Sequence, residues 1–137
     1  MIAKILMIAS AGVILLLGAI HLLYTFFGSK FDPRDNALKA GMEQVAPVIT
    51  RQTTMWRAWI GFNASHSMGG ILFGLIYGYL SLYYDTLLFQ SSFLLATGLA
   101  MLIGLLALAK RYWFRIPFTG ISISLALYIA GIIIALA

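Results

Sequence analysis

No cysteine occurs in this chain, so disulfides, thiolate catalysis and cysteine-held zinc or iron–sulfur centres are excluded and redox compartment leaves no mark. Charge is almost as scarce. Charged residues fill 9% of the 137 positions, against roughly 25% in soluble domains. Four of them are acidic. Asp32, Asp35 and Glu43 share one loop and Asp85 sits at a turn, so no carboxylate lies inside an apolar run. That removes paired-carboxylate catalysis and a proton-coupled antiporter built on a membrane glutamate. No H-E-x-x-H, G-x-S-x-G, P-loop or dinucleotide-binding pattern is present, nor any internal repeat or low-complexity tract.

What the chain has in abundance is apolar surface. Hydrophobic residues make up 62% of it and the mean hydropathy is +0.98. Four continuous apolar stretches, about 5–27, 57–82, 86–109 and 115–136, each meet the requirement of about 20 residues for a helix crossing a bilayer. Barrel strands are short and alternate in polarity, which these runs do not. The expectation is an all-α, integral membrane four-helix bundle, a single domain over residues 1–137. Lys4 before the first run resembles a secretory signal, but the run continues to Phe27 without a clear small-residue cleavage site, so it reads as a retained helix.

Orientation follows from the basic residues. Lys30, Arg34, Lys39, Arg51 and Arg57 lie in or beside the first connection, and Lys110, Arg111 and Arg115 in the third. Lys4 alone belongs to the other side. Eight against one predicts both basic segments in the cytoplasm and both termini outside, in a cytoplasmic (bacterial inner) membrane. Trp56, Trp59, Tyr83, Tyr84, Tyr112 and Trp113 fall at the expected interfaces. The net charge of +5 then points to anionic lipid rather than to nucleic acid.

The first connection carries a pattern of its own. Asp32 suits a helix cap, Pro33 a first helical position, and Asp35 the positive end of the helix dipole. Leu38, Met42 and Val45 follow at helical spacing until Pro47. This predicts a short amphipathic helix, about 33–45, on the membrane surface; a solvated loop is the plainer alternative.

The second span is the informative one. Asn63, Ser65, His66 and Ser67 crowd its first half, and polar groups in a bilayer are costly unless partnered. Asn63, His66 and Ser67 share a face that continues through Gly70, Gly74 and Gly78, a spacing that admits a close neighbouring helix or a partner chain. His21 of the first span shares its face with Ala11, Gly18 and Thr25. At about 1.5 Å per residue, His21 and His66 lie roughly 9 and 14 Å from the same end of their spans, so they meet if the spans pack side by side. Gln90, Thr97, Met101 and Gly104 form a candidate inner face of the third span, and Gly120, Ser124, Tyr128 and Gly131 one of the fourth.

These features support three function classes. The leading one is a protein, or an accessory subunit, that binds an amphipathic membrane ligand of lipid, quinone or isoprenoid type. Arg57, Asn63, His66 and His21 would meet the polar head, Tyr24 and Trp59 would wall it, and the tail would lie along the glycines. The second is electron transfer, with His21 and His66 ligating haem b or a metal ion; the leading reading needs neither cofactor nor metal. The third is a membrane enzyme using His66 as acid or base, weakened by the absence of an orienting acid. The run Thr53–Gly78, with Asp32-Pro33-Arg34-Asp35 before it, resembles a group of uncharacterised small bacterial four-span membrane proteins. In general architecture alone the chain is also DoxX-like. Neither resemblance implies an activity.

Overall fold

A computed structural model describes all residues, 1–137. It contains six helices and no strand: α1 (Ile2–Phe26), α2 (Asn36–Gln44), α3 (Met55–Tyr83), α4 (Asp85–Gln90), α5 (Ser92–Tyr112) and α6 (Arg115–Leu136). Three of them, α1, α5 and α6, are long and apolar enough to cross a membrane. Only 28%, 22% and 22% of their most apolar windows are buried within the protein, so most of that apolar surface faces outward. This is the arrangement a lipid solvent stabilises and water does not. The 29-residue α3 stands outside this set, since Asn63, Ser65, His66 and Ser67 interrupt its hydropathy.

The expected third span is two helices. Ser91 adopts an extended conformation and its hydroxyl accepts from the Leu94 N–H, capping α5. Serine competes for backbone groups in this way and so breaks a helix that apolar periodicity would continue. The first connection also differs from expectation. The cap of α2 is Asp35, which accepts from Ala37 N–H at 2.8 Å, and Pro33 lies before the helix. Asp32 is instead bound to Lys39 at 2.9 Å.

The chain divides into two compact units, residues 1–17 with 70–137 and residues 18–69. In the first, helices approach closely at small residues. A Cβ on Gly74 of α3 would stand 2.5 Å from Leu15 Cβ and 2.8 Å from the Ala11 carbonyl of α1, so at Gly74 the glycine face is filled by the chain's own helix. At Gly131, a Cβ would lie 3.3 Å from the Ala3 carbonyl. Ser10 and Ser124 each donate to the other's backbone carbonyl, at 2.8 and 3.0 Å, fully buried between α1 and α6. Such interhelical bonds contribute roughly 0.6 kcal/mol on average, up to about 2, in a membrane.

Two tyrosines fasten α5. Tyr77 donates to the Leu94 carbonyl at 2.7 Å and Tyr128 to the Leu95 carbonyl at 3.0 Å. The Tyr128 hydroxyl and the Tyr77 ring occupy the space a side chain at Gly98 would need. The inner face of α5 is therefore Leu95, Gly98 and Leu102. The expected face of Thr97, Met101 and Gly104 is exposed, because Tyr77 and Tyr128 pack at Gly98 instead. On α6, Ser124, Tyr128 and Gly131 are buried with Ile121.

In the second unit, the first connection is tied to the start of α3. The Met55 N–H donates to the Val45 carbonyl at 2.8 Å, and the Lys39 ammonium lies 4.9 Å from the Trp56 ring centroid. The hydrogen bond to Asp32 raises the Lys39 pKa above its ordinary value of 10.5. A raised lysine pKa means stability that is complete below the unfolded value and lost as pH rises through the folded one. Backbone amides of α2 are thus expected to exchange with deuterium at a constant intrinsic-rate-corrected rate at neutral pH and faster above about pH 10.5. The same acceleration at neutral pH is expected in Lys39→Met. If Lys39→Met leaves α2 exchange unchanged, the tie contributes nothing.

Candidate functional site

The second unit holds the polar cluster. His21 lies near the C-terminal end of α1 and Asn63 and His66 one turn apart on α3. His21 Nε2 and Asn63 Oδ1 are 3.1 Å apart. The His21 and His66 rings are 5.3 Å apart, edge to face at 82°. The two histidines and the asparagine thus form one cluster. His21 and Asn63 are half-buried, whereas His66 is exposed at the cluster's edge. No third histidine or carboxylate joins the pair in a metal-holding group.

The remaining expected residues divide. Trp59 belongs, because its indole donates to the Phe31 carbonyl at 3.1 Å and its own carbonyl accepts from Asn63 Nδ2 at 2.8 Å. Tyr24 is exposed beside Lys30, 6.0 Å from ring centroid to ammonium. Arg57 is exposed, and its backbone N–H is held by Thr54 Oγ1 at 3.3 Å. Ser67 is buried but donates to the Asn63 carbonyl, and Thr25 to the His21 carbonyl. Both hydroxyls are therefore satisfied within their own helices.

Phe31 is the residue that sequence reading misses. Its ring packs on His21 with centroids 4.6 Å apart at 45°, and its carbonyl receives Trp59. Gly28 makes this possible. With φ at +91°, it takes the left-handed conformation that ends a helix and that glycine adopts without cost. The chain then folds back so that Phe31 returns to α1. A Gly two residues past the end of the helix, with an aromatic three residues on, is the only signal the sequence offers.

Beside the cluster runs an apolar groove of about 360 Å³, walled by Met42, Pro47, Ile49, Met55, Trp59 and Phe62 among others. Trp59 belongs to both the groove and the polar cluster. No family model, no curated protein and no solved structure matches this chain. Geometry alone bears on its function.

Proposed function

We propose that the chain is a four-span membrane protein whose second unit binds an amphipathic membrane ligand. One observation carries the reading: a polar cluster of His21, Asn63 and His66 adjoins an apolar groove of about 360 Å³ through a shared residue, Trp59. A concave apolar site with a few convergent polar groups is the usual form of a small-molecule site. The polar head would meet the imidazoles and the tail would enter the groove. The tail would not follow Gly74 and Gly78, as the glycine spacing suggests, because α1 already lies on Gly74. At Gly74, α1 likewise stands where a second chain would pack. Arg57 and Tyr24, both exposed, are left to the lipid interface.

In this reading α3 is the fourth span. Its 29 residues reach about 43 Å, more than a hydrocarbon core of about 30 Å, and its polar residues turn to protein or ligand. The eight basic residues of the first and third connections favour a cytoplasmic location for both. Haem ligation by His21 and His66 has less support, since the two ring centroids lie 5.3 Å apart with one ring edge-on to the other, which leaves no gap for a macrocycle between them.

The test is mass spectrometry of small molecules that purify with the protein. Asn63→Ala and His66→Ala should each lower the occupancy of a co-purifying amphiphile about tenfold, the effect of losing one polar contact in the site, while both proteins remain inserted and monodisperse. Equal occupancy in wild type and both variants would overturn the assignment.

A further inference from the structure

The hydrogen bonds around His21 select the chemistry of the ligand head, given the binding site proposed above. Asn63 Nδ2 donates to the Trp59 carbonyl at 2.8 Å. A flipped amide would set its oxygen against that carbonyl, two acceptors face to face. The amide orientation is therefore fixed and Oδ1 points at His21, 3.1 Å from Nε2. An amide oxygen only accepts, so Nε2 carries the proton. In a neutral imidazole the other nitrogen, Nδ1, is then an acceptor.

No protein group occupies that acceptor. The bonds that His21 makes run from Nε2 to Asn63 and from its backbone carbonyl to Thr25. Every buried side-chain nitrogen or oxygen in the molecule has a partner, so Nδ1 is not sealed inside the protein. The ring that carries it is half-buried and packs against the Phe31 ring, centroids 4.6 Å apart. An open acceptor in such surroundings favours a donor from its guest.

We propose that the ligand is a hydroxyl-headed amphiphile, a phenol or alcohol on a long apolar body, whose O–H donates to Nδ1 of His21. A ketone, quinone or ether head offers only acceptors and leaves Nδ1 unpaired. Asn63 is a positioning residue here, since it acts by fixing the tautomer. His66 borders the same space, its ring edge-on to that of His21.

The experiment compares two probes on the full chain in lipid nanodiscs: 4-dodecylphenol and its methyl ether, 4-dodecylanisole. They differ in one donor and little else. The phenol should bind about tenfold more tightly, the ratio one such hydrogen bond supplies, and His21→Phe should bring the ratio close to one. Equal binding of both probes to wild type would overturn the hydroxyl assignment and leave the ligand site standing. Binding of neither would overturn both. A second readout does not depend on affinity. In ¹⁵N-histidine-labelled protein, His21 should show a protonated Nε2 and a bare Nδ1, and the Nδ1 resonance should move upfield when the phenol is added. A protonated Nδ1 in the neutral ring would overturn the proposal regardless of binding.

Discussion

Gly74→Leu is expected to lower the thermal midpoint of the detergent-solubilised protein by about 10 °C or more. The reason is the kind of atom in the way. A Cβ at Gly74 meets the Ala11 carbonyl oxygen at 2.8 Å and Leu15 Cα at 2.9 Å, and neither can rotate aside. Helix α1 would have to move as a rod, taking with it the reciprocal Ser10–Ser124 bonds. Those hydroxyls are fully buried and would be left without partners in a medium that offers none. Overpacking commonly costs about 1–3 kcal/mol, and backbone contact places this case at the upper end. Gly104→Leu is the control, because nothing lies within 4 Å of a Cβ there. Equal shifts in the two variants would show that the close approach of α1 and α3 is not what holds the first unit together.

Much of this packing could be read from residue spacing, and the reasons are local. Gly74 recurs at helical spacing on a face of small residues, and small residues in membrane helices mark close approach. Ser124, Tyr128 and Gly131 are buried where their shared face predicted. The approach of His21 to Asn63 and His66 was expected from their similar depth on condition that the two helices pack side by side. Three features were hidden because they depend on competition or on distant partners. At Ser91, hydropathy favours continuing the helix and the hydroxyl favours capping a new one; an apolar window does not weigh the two. Asp32 and Asp35 are equally good caps by residue type, and Lys39 decides between them by claiming Asp32. Phe31 joins the site through a left-handed Gly28 and a bond to Trp59, 28 residues away. Arg57, a guanidinium that a nearby polar patch invites into the site, has an exposed side chain.

Cysteine labelling should separate four spans from three, and the effect is all-or-none. The native chain has no cysteine, so a single introduced thiol reports alone. Val48→Cys in the first connection and Thr86→Cys after α3 both replace exposed side chains. If α3 crosses the membrane as proposed, a membrane-impermeant maleimide added to intact cells should label the Thr86→Cys variant fully. It should leave the Val48→Cys variant unlabelled until the membrane is permeabilised. The orientation rests on charge. Lys30, Arg34, Lys39, Arg51, Arg57, Lys110, Arg111 and Arg115 lie in or beside the first and third connections, and each basic residue near an anionic leaflet contributes about 1 kcal/mol. The one competing basic side chain is already engaged: Lys4 donates to the Leu82 carbonyl at 2.8 Å and lies 3.9 Å from Asp85. Eight basic residues against one are the ground for the proposed orientation. Labelling of both variants from outside, or of neither, would put the two positions on one side of the membrane and leave α3 as a helix that does not cross. Labelling of the Val48→Cys variant alone would keep four spans and invert the protein, placing the basic connections outside.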